Sequence, residues 1–154
     1  GAIAGAMPPY IGWLASGGDL VSHQAMLLVL LLVFWQIPHF FLVLLNHRAD
    51  YSQSISPNLL QDLSEAALKR IFLPWITALV IIMITFCLVP PDMGLWGKVL
   101  ILANCSVLLS IFYYQMLKAG EPKYNFLFQI LNGSLVLFMA TVCFQAAHFS
   151  EYVF

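Results

Sequence analysis

Four long apolar runs constrain the fold of this chain more than any other feature. They cover roughly residues 24–45, 71–90, 97–117 and 126–147. A helix that crosses about 30 Å of hydrocarbon needs about 20 apolar residues, because each residue advances the helix by about 1.5 Å. We therefore predict four full transmembrane helices. Residues 1–15 are apolar but too few to cross, and we interpret them as the end of a fifth helix.

The composition also predicts a membrane environment. Hydrophobic residues make up 62% of the chain and charged residues only 8%, which is too little polar surface to cover a water-soluble globule of 154 residues. A formal net charge of -1 does not provide the basic field that nucleic-acid binding requires, so we expect no nucleic-acid partner. We predict an all-α membrane protein, a polytopic helical bundle in which residues 1–154 form a single transmembrane domain.

The basic residues predict the orientation of this bundle, because cytoplasmic loops carry an excess of Lys and Arg. The loops at 46–70 and 118–124 contain five of the six basic residues, namely Arg48, Lys69, Arg70, Lys118 and Lys123. The sixth, Lys98, follows a turn on the opposite side. We expect both loops on the cytoplasmic or matrix side.

A first motif, Gly-Ala-Met-Pro-Pro-Tyr-Ile-Gly-Trp, occupies residues 5–13. Two prolines inside an apolar helix remove backbone donors and bend the axis, and the flanking glycines allow close approach of another helix or of a substrate chain. The motif is compatible with either a packing kink or a functional site.

A second motif, Trp-Gln-Ile-Pro-His-Phe-Phe, occupies residues 35–41 within the first full span. Polar groups inside a bilayer are costly unless they are paired, so Gln36 and His39 should face the bundle interior or a cavity. Both are therefore candidate substrate-binding residues. A hydrogen bond between two helices is the alternative role for His39.

A third motif, Arg-Ala-Asp-Tyr-Ser, occupies residues 48–52, where that span reaches the membrane surface. A carboxylate at such a surface can hold Mg²⁺ against the oxygens of a diphosphate, and an arginine can neutralise the same group directly. Asp50 and Arg48 have this chemistry. Charged residues at helix ends are also common as topology determinants, which is the alternative interpretation.

Together, in this order and spacing, the three motifs resemble the protoheme IX farnesyltransferases, the haem O synthase branch of the UbiA prenyltransferase superfamily. Such enzymes have nine transmembrane helices and two aspartate-bearing cytoplasmic loops, after the second and sixth helices. The resemblance implies that residues 1–154 are the carboxy-terminal part, helices five to nine, and that 46–70 contains the second loop. The first loop, of the Asn-Asp-x-x-Asp type, is absent from this sequence, so we expect the isolated segment to be inactive.

The resemblance further implies transfer of a farnesyl group from farnesyl diphosphate to haem b, giving haem O, with haem b as substrate rather than cofactor. Mg²⁺ would assist departure of the diphosphate. Asp50 would be the metal ligand, Arg48 a diphosphate clamp, and Tyr51 an aromatic group that stabilises positive charge. Four further residues would contribute to substrate binding, namely Gln36, His39, Lys69 and Arg70.

The loop also departs from the family pattern. Ser52 follows Asp-Tyr where the family usually has glycine, and Ala49 replaces a common acid, so this loop offers fewer carboxylates. One alternative is another UbiA-type prenyltransferase acting on an aromatic or quinone precursor. A second aspartate four residues after Asp50 would favour it, but that position is Ser54. The other alternative is a non-catalytic helical membrane or assembly protein.

The family resemblance also implies a location and partners. It indicates a multi-pass protein of the bacterial inner membrane or of the mitochondrial inner membrane. A haem A synthase or a terminal oxidase would be its assembly partner.

Overall fold

The described part of the chain is entirely helical where it has regular structure. The computed structural model describes residues 2–47, 65–89, 93–118, 120 and 122–150. Its five helices are α1 (Ala2–Ala15), α2 (His23–Asn46), α3 (Glu65–Thr85), α4 (Leu95–Leu117) and α5 (Tyr124–Ser150). The prediction of an all-α fold is confirmed.

Three of the described helices are long and apolar enough to cross a membrane. They are α2, α4 and the segment Tyr124–Gln145 of α5, which match the predicted spans at 24–45, 97–117 and 126–147. The remaining predicted span, 71–90, overlaps α3, so a helix is confirmed there. A fourth full crossing stays a prediction. α1 has 14 residues and covers the apolar opening segment.

The bounds of α3 differ from the predicted span at both ends. The helix begins at Glu65 rather than 71 and ends at Thr85 rather than 90. Beyond that end, Leu88 N donates to Thr85 O at 3.0 Å, which tightens the chain into a turn. Pro90 and Pro91 follow in the sequence, and proline disfavours helical geometry in the residue before it. A helix that continues to residue 90 is therefore disfavoured, and the chain leaves the helix after Thr85 in this turn.

Four of the helices close into a bundle. Each of α2, α3, α4 and α5 contacts the next, α5 returns to contact α2, and α1 packs against α2. Large apolar side chains from all four helices are fully buried at the centre, among them Leu31, Phe72, Phe112 and Leu127. The closed arrangement positions α2 and α5 side by side.

Most basic residues of the described chain lie at one end of this bundle. Lys69 Nζ, near the start of α3, donates to the carbonyl oxygen of Gly120 at 3.2 Å and so ties α3 to the α4–α5 connection. Lys98, near the start of α4, lies at the opposite end. We call the first end the basic end, and its described cations are Lys69, Arg70, Lys118 and Lys123. The side of the membrane that it faces stays a prediction.

Near the basic end, one aromatic side chain joins three helices. Phe72 of α3 lies 5.8 Å from Phe41 of α2 and 6.0 Å from Phe112 of α4, measured between ring centroids. Phe72 and Phe112 are both completely buried. Aromatic pairs at such distances contribute beyond the area that they bury. This cluster therefore fixes the spacing of α2, α3 and α4 beside the predicted site.

Replacing Phe72 by alanine should therefore destabilise the intact protein. Phe-to-Ala changes in protein cores cost about 3–5 kcal/mol, and a smaller loss of about 2 kcal/mol or more is expected here because lipid tails are themselves apolar. Chemical denaturation in detergent measures the effect. Phe126→Ala is the matched control, because Phe126 is 41% exposed. Equal destabilisation by the two variants would contradict the packing role.

Candidate functional site

The second motif, residues 35–41, lies on α2, which remains helical through Pro38. Pro38 is buried within α2 and has no N–H, so it removes the donor that would normally bond to the carbonyl of Phe34. Trp35 and His39 are one helical turn apart and lie on the face that contacts α5. The motif therefore brings its aromatic and imidazole groups to the contact between two membrane-spanning helices.

His39 is held by contacts on several sides. Its Nδ1 is 3.2 Å from Oδ1 of Asn132 on α5. Its ring centroid lies 4.5 Å from that of Trp35 and 4.9 Å from that of Phe128. An amide oxygen only accepts, so Nδ1 is the donor and, in the neutral ring, Nε2 retains its lone pair. The interhelical hydrogen bond named as the alternative role is present, and substrate contact by His39 stays a prediction.

Trp35 contributes an unusual feature to the same contact. Its indole Nε1 is buried and has no hydrogen-bond partner among the described residues. A buried donor without an acceptor is costly, more so where hydrocarbon replaces water. The α2–α5 contact thus contains a donor that the described residues leave unsatisfied, one turn from His39.

Gln36 faces α1 rather than α5. A Cβ atom added to Gly5 would overlap the side-chain amide of Gln36. The absence of a side chain at Gly5 therefore lets the amide pack directly on the α1 backbone, which is the close approach that the glycine of the first motif permits. Gln36 joins two helices, and its predicted contact with a substrate is not tested by this packing.

The basic end contains Lys69 and Arg70, the two remaining predicted substrate-binding residues that the structure describes. Lys69 is bonded to Gly120 O, as above, and Arg70 is exposed. Lys118 Nζ lies 5.7 Å from the ring centroid of Tyr114, within reach of a cation–π contact. The structure places His39 on α2 and Lys69 on the neighbouring helix α3. Substrate binding by Lys69 and Arg70 stays a prediction.

The three predicted catalytic residues, Arg48, Asp50 and Tyr51, lie outside the described residues. Within the described ranges, no cluster of three or more His, Cys, Asp or Glu side chains could hold a metal ion. The predicted metal site depends on Asp50.

Sequence reasoning missed the residues with which His39 interacts. Asn132 and Phe128 are separated from His39 by a long stretch of chain and lie on a different helix. One signal was present, since Asn132 is a polar residue inside an apolar span and should itself need a partner. Nothing in the sequence indicated which polar residue that partner would be.

A cavity of about 600 Å³ lies at the end of the bundle opposite the basic end. Its lining includes Trp13, Asp19, His23 and Val89. None of these is a predicted site residue. The connection before α2 is folded against α1 there, because Trp13 Nε1 donates to Asp19 O at 3.0 Å. This cavity is therefore separate from the α2–α5 contact.

The fold and the apolar spans together define a multi-pass helical membrane protein with a polar contact inside the bundle. Comparison with curated proteins identifies relatives of this chain. It is 37% identical over 127 residues to a protoheme IX farnesyltransferase of Shewanella amazonensis, a match that covers 81% of this chain and 39% of that relative. No family model and no solved structure matches the chain.

Two further relatives have the same name. A protoheme IX farnesyltransferase of Shewanella baltica is 36% identical over 126 residues, covering 81% of this chain and 38% of the relative. One of Nitratidesulfovibrio vulgaris is 40% identical over 78 residues, covering 51% and 27%. The chain is thus homologous to the protoheme IX farnesyltransferases, and the predicted resemblance is confirmed. It spans about two fifths of the length of the Shewanella relatives.

The close contact between Gly5 and Gln36 generates a paired prediction. Gly12→Ala should stabilise the intact protein, because nothing lies within 4 Å of the added Cβ and alanine is about 1 kcal/mol better than glycine in a helix. Gly5→Ala should lose much of that gain, because the Gln36 amide must move. Thermal unfolding in detergent compares the two variants. A Gly5→Ala variant as stable as Gly12→Ala would contradict the contact.

Proposed function

We propose that this chain is part of a prenyltransferase that transfers a farnesyl group from farnesyl diphosphate to haem b and so forms haem O. The observation that carries the proposal is the identity shared with proteins named protoheme IX farnesyltransferase over 81% of the chain. The three motifs lie in the family order within this chain. No described feature favours an aromatic or quinone acceptor, or a non-catalytic role.

The described bundle suits the physical demands of such a donor. A prenyl diphosphate has an apolar tail that partitions into hydrocarbon and a highly charged head that needs cations at the surface. The basic end offers Lys69, Arg70, Lys118 and Lys123, while the bundle below it is apolar. We assign the diphosphate to the basic end, beside the loop that contains Asp50, and this end to the cytoplasmic or matrix side.

The proposed reaction breaks one bond of the donor and forms two bonds on the acceptor. The bond between C1 of the farnesyl group and the diphosphate oxygen breaks, and its electron pair leaves with the diphosphate. The vinyl group of haem b supplies the electron pair for the new carbon–carbon bond to C1. Water then adds a hydroxyl to the resulting carbocation and releases one proton. No oxidant or reductant is consumed.

The residues of loop 46–70 have complementary proposed roles. Arg48 binds the diphosphate through charge-assisted hydrogen bonds, and Tyr51 presents an aromatic face to the allylic cation. Asp50 would hold Mg²⁺, which neutralises charge on the leaving diphosphate when it is bound. Lys69 and Arg70 add positive charge at the same end of the bundle. Gln36 and His39 lie deeper, on α2, where the acceptor would be held.

We also propose the setting of the intact enzyme. It would lie in a bacterial inner membrane or a mitochondrial inner membrane, as the family resemblance implies. A haem A synthase or a terminal oxidase would receive the product as an assembly partner.

Asp50→Asn should abolish farnesyl transfer by the intact protein. Loss of the carboxylate removes stabilisation of the leaving group, and comparable electrostatic losses reduce kcat by about 10²–10³. Conversion of haem b to haem O by membranes supplied with farnesyl diphosphate and Mg²⁺ is the measurement. Asp19→Asn is the matched control, because Asp19 lies at the other end and the amide retains the Oδ1 that accepts from Val21 N. Normal turnover by Asp50→Asn would exclude the assigned role, and a different prenylated product would exclude haem b as acceptor.

Residues 1–154 expressed alone should show no farnesyl transfer. They span about two fifths of the relatives' length, and the family resemblance places a second aspartate loop elsewhere in the enzyme. Membranes containing this segment should give no haem O above background, whereas the intact protein does. Measured turnover by the segment would show that one aspartate loop is sufficient.

A further inference from the structure

The hydrogen bond between His39 and Asn132 determines which imidazole nitrogen is available to a ligand. Nδ1 is the donor to Asn132 Oδ1 at 3.2 Å, so the lone pair of the neutral ring is on Nε2. The structure records no hydrogen bond to Nε2 from the described residues. His39 therefore has one nitrogen fixed by α5 and one nitrogen able to bind an electron-pair acceptor.

This arrangement is typical of histidines that bind metals. A metal-ligating histidine usually donates its other ring N–H to an oxygen acceptor, which fixes the tautomer and the orientation of the ring. Asn132 supplies such an acceptor from a neighbouring helix. Trp35 and Phe128 restrict the ring further, since their centroids lie within 5 Å of it. His39 is thus preorganised before any ligand arrives.

His39 lies inside the bundle, in the half of α2 nearest the basic end. The residue lies seven positions before Asn46, the last residue of α2, which corresponds to about 10 Å along the helix axis. It is inside a span that is long and apolar enough to cross the membrane, yet within the half nearest the basic end. By contrast, His23 lines the cavity at the opposite end, and His47 lies beyond the end of α2.

We propose that Nε2 of His39 binds the iron of the acceptor haem as an axial ligand, an inference that rests on the proposed function. Its lone pair forms one dative bond to iron, and neither an electron nor a proton is transferred. Iron held by His39 would lie inside the bundle, about 10 Å along the axis of α2 from its end at the basic end.

Asn132 is a positioning residue in this arrangement. It does not contact the iron, but its Oδ1 keeps the proton on Nδ1 and increases the electron density that Nε2 offers to the metal. Loss of a comparable outer partner reduces metal affinity about 10–100-fold. Asn132→Leu should therefore weaken haem binding by about tenfold or more and lower the iron–histidine stretching frequency, a vibrational change that altered packing alone would not produce.

The test uses the intact protein loaded with haem b in detergent or nanodiscs. Resonance Raman spectra of the ferrous form detect a histidine ligand through the iron–histidine stretch. Wild type and the control His23→Ala should show this band, and His39→Ala should lack it. His39→Cys should bind haem with the optical and electron-paramagnetic signature of a thiolate ligand. A change of ligand type distinguishes coordination from misfolding, because an unfolded variant gives no new ligand.

Each outcome separates the two proposals. A wild-type histidine band that persists in both His39→Ala and His39→Cys overturns the assignment of His39, while farnesyl transfer by the same wild-type preparation leaves the proposed function intact. Wild type that makes haem O but shows no histidine band also overturns the assignment. Wild type that neither binds haem b nor farnesylates it overturns both. Imidazole added to His39→Gly should restore the histidine-type spectrum if the ligand position is correct.

Discussion

The absence of water from the hydrocarbon layer is the constraint on which this structure depends. Backbone groups there must be satisfied within the segment, which favours helices. Polar side chains must find partners on neighbouring helices or on their own backbone. His39 bonds to Asn132 between α2 and α5, and Asn104 Nδ2 donates to Ser134 O at 3.0 Å between α4 and α5. These bonds join the helices at defined positions in an otherwise apolar core.

The same constraint connects packing with chemistry at His39. An interhelical hydrogen bond and a substrate contact were alternatives at the level of sequence, but the geometry makes them compatible. The bond uses one nitrogen and fixes the ring, and the other nitrogen keeps its lone pair. A histidine that stabilises the α2–α5 contact is thereby also oriented for binding. In this bundle, the hydrogen bond that pairs the buried imidazole also holds its ring in one orientation before a ligand binds.

Much of the fold could be predicted from local properties of the sequence, and the site could be predicted only in part. Runs of apolar residues indicated α2, α4 and α5 closely, because span length is set by bilayer thickness. The end of α3 at Thr85 was missed, because apolar residues continue to Val89 and hydrophobicity alone does not show where a helix ends. The pairing of His39 with Asn132 was also missed, because helix packing brings together residues that are 93 positions apart. Polar character marked both residues, but it contained no information about their partners.

The contact between Gly5 and Gln36 has a consequence for the divergence of this chain over evolutionary time. Position 5 has no room for a side chain while the amide at position 36 lies against the α1 backbone. A larger residue at position 5 therefore requires a shorter or differently oriented residue at position 36. The two positions should therefore covary among homologues, although one lies in α1 and the other in α2. A change at one position would be accepted only together with a matching change at the other.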